Sequence, residues 1–165
     1  AMIGALYAAL CFLQNALIPN SANFAIQFRA AEAMCVLAMF TPAAIPGLTI
    51  GCVLFNLCMA GSLPWDAPLG GLATLLAAWW TRHMPNRWLA PFPPVLCNGV
   101  IIGAMIAWYE VGFGPAFWNL FLFNGLSVAL GELIACYGLG SLLLAYLPRI
   151  PYLKEAIPSH RQRYI

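Results

Sequence analysis

The sequence predicts an all-α integral membrane protein with six transmembrane helices and both termini in the cytoplasm. Only 7% of the 165 residues are charged, whereas soluble domains carry about 25%, so a water-facing surface cannot be covered. Apolar runs suited to crossing the roughly 30 Å hydrocarbon core alternate with breaks rich in proline and polar residues. The basic residues also gather on one side of the resulting topology.

The breaks divide the chain into six predicted helices and a tail. The first apolar run lacks the basic n-region of a signal peptide and is interpreted as a span. The fifth opens on "APFPP", and proline suits a first helical turn because its missing N–H would be unpaired there. The sixth is long, so we expect it to tilt, kink or extend beyond the membrane. The predicted helices cover 2–18, 25–40, 43–60, 67–83, 91–110 and 116–147, giving one membrane domain, 1–147, and a polar cytoplasmic tail, 148–165.

The topology follows from two groups of basic residues. Arg82 and Arg87 flank the connection between the fourth and fifth predicted helices. The tail carries the second group, Arg149, Lys154, Arg161 and Arg163. Two spans separate the groups, so both lie on the same side, which the positive-inside rule makes cytoplasmic. Only Arg29 falls near the external side, which indicates that it has a purpose other than setting topology.

Charged and amide side chains within the apolar runs are the candidate ligand-binding residues, because such groups are costly in a membrane. Arg29 and Glu32 lie three residues apart in "IQFRAAEAM", which predicts that they share one helical face. Glu132 lies near the middle of the last predicted helix. The candidate substrate-binding residues are Arg29, Glu32, Asn56, Asp66, Asn98, Trp108, Asn124 and Glu132.

Each candidate has a structural alternative. Arg29 and Glu32 could form an ion pair that pins two helices, and Glu132 could accept hydrogen bonds from a neighbouring span. The asparagines could hydrogen bond between helices. Asp66 could cap the fourth helix, and Trp108 could belong to an aromatic belt instead of stacking on a planar ligand.

The first predicted helix carries a stripe of small residues, Gly4, Ala5, Ala8 and Ala9. Small residues at this spacing let helices approach closely in lipid. The stripe therefore predicts either packing inside the protein or docking onto a partner membrane protein.

Several other chemistries are not expected. The chain has no G-x-x-x-x-G-K-[ST] loop, so it is not expected to hydrolyse ATP by that route. The six cysteines form no C-x-x-C pair and lie in apolar runs, so we predict neither a metal site nor a disulfide. Both histidines, His83 and His160, fall on the cytoplasmic side or in the tail, and no nucleophile–base pair is recognised within the spans. No cofactor is predicted.

Several stretches, in order along nearly the whole chain, resemble the QueT family. The Q-F-R-x-x-E and T-P-A-A-I-P-G runs are the more specific ones. The matching stretches are "ALYAAL" (5–10), "IQFRAAEAM" (26–34), "FTPAAIPGLTIGC" (40–52), "DAPLGGLATLLAA" (66–78), "LAPFPPVLCNGVIIG" (89–103) and "GELIACYGLG" (131–140).

The resemblance implies a substrate-binding S component of an energy-coupling factor (ECF) transporter for queuosine precursors, in a bacterial plasma membrane. It implies six helices with both ends cytoplasmic, in agreement with the charge-derived topology, and a ligand pocket near the external side. It also implies that the first helix, with Ala5-x-x-x-Ala9, docks onto a transmembrane scaffold subunit that carries two ATPase subunits. The ligand would be a 7-deazaguanine such as preQ1, preQ0 or queuine.

Two alternative functions stay open at this point. The chain could be an S component for a different vitamin, with the same architecture. It could also be a structural or enzymatic membrane protein without a role in transport.

Overall fold

The computed structural model describes residues 1–19, 28–59 and 62–149, and every regular element in this part of the chain is a helix. The all-α prediction is therefore confirmed for the described residues. The start of the predicted second helix, 25–27, and the tail beyond residue 149 lie outside them. The α-helices are α1 (Met2–Leu17), α2 (Ala44–Cys58), α3 (Asp66–Arg82), α4 (Phe92–Val111), α5 (Phe117–Leu133) and α6 (Ser141–Tyr146). Three further helical segments are a 3₁₀ helix (Ala30–Met39), a π-helix (Ile134–Gly140) and a 3₁₀ turn (Leu147–Arg149).

The second predicted α-helix is instead the 3₁₀ helix, which rises about 2.0 Å per residue where an α-helix rises about 1.5 Å. Side chains at i and i+3 eclipse in such a helix, and the alanine-rich sequence tolerates this crowding. Glu32 and Cys35 show the effect, since the Cys35 thiol donates to Glu32 Oε2 at 3.3 Å. Arg29 precedes the helix with extended backbone (φ −123°, ψ 96°), so the prediction that Arg29 and Glu32 share a helical face is wrong.

The 3₁₀ helix forms the centre of the bundle. Eight of its ten residues are buried. It contacts five other helical segments, namely α1, α2, α3, α6 and the π-helix. Gly140 on the π-helix allows part of this approach, since a Cβ there would lie 3.1 Å from Cγ1 of Val36.

Close glycine contacts join α1 to α2. A Cβ added to Gly51 would lie 2.6 Å from the carbonyl oxygen of Gly4, so the two backbones touch. Gly4 is buried and belongs to an internal helix contact, as the packing alternative expected. Ala5 and Ala9 are exposed and Ala8 is half-buried, so the outward part of the small-residue stripe consists of alanines.

Helices α4 and α5 pack antiparallel through a second set of small residues. A Cβ on Gly103 would lie 2.5 Å from Cα of Gly125, and one on Gly99 would lie 3.1 Å from Cβ of Ala129. The two pairs define the register, in which a residue later in α5 lies opposite a residue equally earlier in α4. That register places Glu132 at the level of residue 96 on α4.

Two of the described helices are long and apolar enough to cross a membrane. They are α4, with 20 residues, and the continuous helix Phe117–Tyr146, with 30 residues. At about 1.5 Å per residue the second is longer than a span of roughly 30 Å requires. Its outer face is strongly apolar, with Phe123 and Leu126 more than 60% exposed. This surface is suited to lipid.

Candidate functional site

Five of the eight candidate residues are buried among the helices and form what we call the inner cluster: Arg29, Glu32, Asn56, Asn98 and Glu132. They come from the 3₁₀ helix and the residue before it, α2, α4 and α5. The charges of Glu132, Glu32 and Arg29 lie close enough to interact. Buried polar groups without partners are costly, so the partners of each member decide what the cluster can bind.

Glu32 is held by donors from three helices. Its carboxylate accepts a hydrogen bond from the Tyr7 hydroxyl of α1 and one from the Thr74 hydroxyl of α3, at 3.2 Å. The thiol of Cys35 donates to the second carboxylate oxygen. Glu32 is fully buried, and these donors offset the cost of removing it from water. Its carboxylate therefore fastens α1 and α3 to the central 3₁₀ helix.

Arg29 takes a different partner from Glu32. One of its terminal nitrogens lies 3.5 Å from Oδ1 of Asn56 on α2, and its Nε has no hydrogen-bond partner among the described residues. Among the described residues, Arg29 and Glu32 thus have different hydrogen-bond partners, although their charges lie close enough to interact. Gly70 on α3 leaves room for this arrangement, since a Cβ there would lie 3.0 Å from Nδ2 of Asn56.

Glu132 is as buried as Glu32, but its contact is weaker. Oε2 of Glu132 lies 3.6 Å from the Cys136 sulfur, one turn further along the same helix. A thiol is a weak donor compared with a hydroxyl. The π-helix begins two residues after Glu132, and such irregular turns occur frequently at functional sites. Glu132 therefore retains capacity to accept strong hydrogen bonds.

Asn98 lies on α4 near the level of Glu132. It is 2% exposed, and no described residue accepts a hydrogen bond from its side-chain nitrogen. The register of α4 and α5 separates Asn98 from the level of Glu132 by two residues, about 3 Å along the axis. Asn98 and Arg29 thus each present a buried, unused N–H group.

The remaining candidates, Asp66, Asn124 and Trp108, lie elsewhere and form the outer group. Asp66 begins α3 and accepts a hydrogen bond from the Leu63 N–H at 2.7 Å, so it organises the preceding turn. Asn124 donates to Glu110 at 3.0 Å. Trp108 packs on Tyr109 and is 38% exposed.

The outer group lies at different distances from the inner cluster along three helices. Asp66 precedes Gly70, which lies against Asn56, by four residues, about 6 Å of helix. Asn124 precedes Glu132 by eight residues, about 12 Å, and Trp108 follows Asn98 by ten residues, about 15 Å. The structure therefore does not bring Asn124 and Trp108 together with the inner cluster, and Asp66 lies about one turn from its Arg29–Asn56 contact.

An apolar groove between α4 and α5, of about 210 Å³, lies next to Gly99 and Gly125. Its lining includes Phe92 and Phe121 and none of the eight candidate residues. A polar, planar ligand would find no hydrogen-bond partner there. The inner cluster, not this groove, is the candidate site for such a ligand.

Sequence reasoning missed the residues that support the inner cluster. They are Tyr7 and Thr74, which donate to Glu32, Gly70, which leaves room for Asn56, and Gln14, which hydrogen bonds the backbone on either side of Arg29. Tyr7 is fully buried in α1, and a buried tyrosine usually finds a partner for its hydroxyl, but the structure and not the sequence shows that burial. Thr74 and Gly70 carry no specific signal either, because small and hydroxyl residues are common at helix contacts in membranes.

An apolar outer surface around a buried cluster of charges and amides defines a membrane protein with an internal polar site. The family model described as QueT transporter matches residues 1–149. The chain belongs to the QueT transporter family, which confirms the resemblance and makes it a transport protein. No curated protein matches the chain, and no solved structure matches it either.

Proposed function

We propose that the chain is the substrate-binding S component of an ECF-type uptake transporter and that it captures a 7-deazaguanine from outside the cell. In this proposal the six spans are α1, the 3₁₀ helix, α2, α3, α4 and the continuous helix Phe117–Tyr146, and both termini lie in the cytoplasm. A scaffold subunit and two ATPase subunits supply the energy, and the exposed alanines of α1, Ala5 and Ala9, contact the scaffold.

The observation that carries the proposal is the unused hydrogen-bonding capacity inside the cluster. Within the part of the chain that the structure describes, Arg29 Nε and Asn98 Nδ2 are buried donors without acceptors. Glu132 is a buried carboxylate with a thiol as its neighbour. Leaving such groups unpaired costs roughly 1–3 kcal/mol each, and a bound ligand that pairs them recovers this cost.

The chemistry of a 7-deazaguanine fits these groups. Its guanine-type edge offers N1–H and the 2-amino group as donors and O6 as an acceptor. A carboxylate such as Glu132 accepts from the two donors, and an arginine or amide N–H donates to O6. Two carboxylates and one arginine also favour a cationic substituent such as the aminomethyl group of preQ1.

The decisive experiment measures binding of preQ1, preQ0 and queuine to the purified protein by calorimetry, with riboflavin and thiamine as comparison ligands. We expect one or more 7-deazaguanines to bind, and Arg29→Ala to weaken the binding. Binding of a flavin or thiamine alone would instead indicate an S component for another vitamin. If nothing binds, and gentle purification yields no complex with ATPase subunits, a role outside transport is favoured.

The space above Gly70 gives a second prediction. Gly70→Ala places a methyl group against the Asn56 amide and displaces it from Arg29, so we expect the affinity for the 7-deazaguanine to fall about fivefold, or roughly 1 kcal/mol. Gly138→Ala is the matched control, because no atom lies within 4 Å of a Cβ at that position. Equal affinity of both variants and wild type would contradict the placement of Arg29 and Asn56 at the ligand.

A further inference from the structure

The backbone around Arg29 is held from outside its own segment. Arg29 is extended, and it precedes the 3₁₀ helix without a side-chain cap. The first N–H groups of a helix lack partners within the helix, and so does a carbonyl in the extended stretch before it. A rigid position for Arg29 therefore requires partners from another element.

Gln14 of α1 supplies both of these partners. Its Oε1 accepts a hydrogen bond from the backbone N–H of Ala30 at 2.8 Å, and its Nε2 donates to the carbonyl oxygen of Phe28. One amide thus bonds the residues on either side of Arg29. It acts as a neighbouring strand would, and it restricts the rotation of the backbone at Arg29.

The position of Gln14 on α1 connects it to the rest of the cluster. The buried residues of α1 are Gly4, Tyr7 and Cys11, and Gln14 continues their 3-4-3 spacing on one helical face. Tyr7 on this face bonds Glu32. A single face of α1 therefore contacts both the backbone beside Arg29 and the carboxylate of Glu32.

We propose that Gln14 is a positioning residue of the ligand site, which fixes the backbone on both sides of Arg29 so that its unpaired Nε faces the bound ligand. This inference rests on the proposed function for the identity of the ligand. The hydrogen bonds of Gln14 do not depend on which ligand binds, so the role of Gln14 and the proposed function can be tested separately.

The first test needs no ligand. Hydrogen exchange of the peptide covering 28–34 is compared in wild type, Gln14→Met and Gln14→Glu. Methionine has a similar length but makes neither bond, so we expect the Ala30 amide to exchange at least tenfold faster. Glutamate keeps the acceptor for Ala30, so exchange should stay near wild type. Unchanged exchange in Gln14→Met would overturn the proposal.

The second test asks whether Gln14 acts through Arg29, using the 7-deazaguanine that wild type binds. We expect Gln14→Met to weaken binding about tenfold, with Leu13→Met, at an exposed position of α1, as the control. In an Arg29→Lys background the same substitution should have little further effect. Additive losses in the double variant would show that Gln14 does not act through Arg29. If wild type binds no 7-deazaguanine, the proposed function fails, and the exchange experiment alone decides the role of Gln14.

Discussion

Glu132→Gln is expected to weaken binding of the 7-deazaguanine by about 10- to 100-fold while leaving the fold intact. The substitution keeps the size of the side chain but replaces a carboxylate oxygen with an NH₂ group. That group would face the N1–H and 2-amino donors of the ligand. Hydrogen bonds to a charged group contribute roughly 1.5–3 kcal/mol, which corresponds to this range of affinity. Titration calorimetry measures the affinity directly.

Glu32→Gln is the matched comparison, because both carboxylates are buried but only Glu32 is surrounded by strong donors. The glutamine would place an NH₂ group among the Tyr7 and Thr74 hydroxyls, so we expect a clear loss of thermal stability. The two variants should therefore differ in their effects. Glu132→Gln should lower mainly the affinity for the ligand, and Glu32→Gln mainly the thermal stability. If Glu132→Gln binds as wild type does while Glu32→Gln loses affinity at unchanged stability, the roles are reversed.

The charged members of the inner cluster could be found from sequence because their cost in an apolar run is local and large. Arg29, Glu32 and Glu132 stand out in this way without any knowledge of the fold. Their partners could not be found, because a hydroxyl or amide costs little on its own. Which of many such groups meets Glu32 or Arg29 depends on how the helices pack.

The sequence also does not show how close a candidate side chain lies to the site or which type of helix carries it. Asp66, Asn124 and Trp108 are polar or amphipathic like the inner candidates, and only the packing of the helices shows that they lie outside the inner cluster. The start of α4 is different, because proline constrains the backbone locally, and "APFPP" predicts it to within one residue. The 3₁₀ helix at Ala30–Met39 has no such local signal, since a short alanine-rich apolar run also suits an α-helix.

The contact between α4 and α5 should be the most sensitive part of the fold to added volume. Gly103→Ala would place a Cβ 2.5 Å from Cα of Gly125 and 2.7 Å from its nitrogen. Both are backbone atoms of a packed helix, so a rotamer change cannot relieve the clash and the helices must separate. We expect a loss of roughly 1–3 kcal/mol in the free energy of unfolding, measured by denaturation in detergent.

Separation of α4 from α5 should also move Asn98 and Glu132 apart, because they lie on these two helices within about one turn of Gly99 and Ala129. Gly103→Ala should therefore lower affinity as well as stability. Gly138→Ala controls for the gain in helix propensity, since its Cβ would meet nothing within 4 Å, and it should be neutral or slightly stabilising. If both glycine variants unfold at the same denaturant concentration as wild type, α4 and α5 do not pack as closely as the glycines indicate. If stability falls but affinity does not, the ligand does not bind between Asn98 and Glu132.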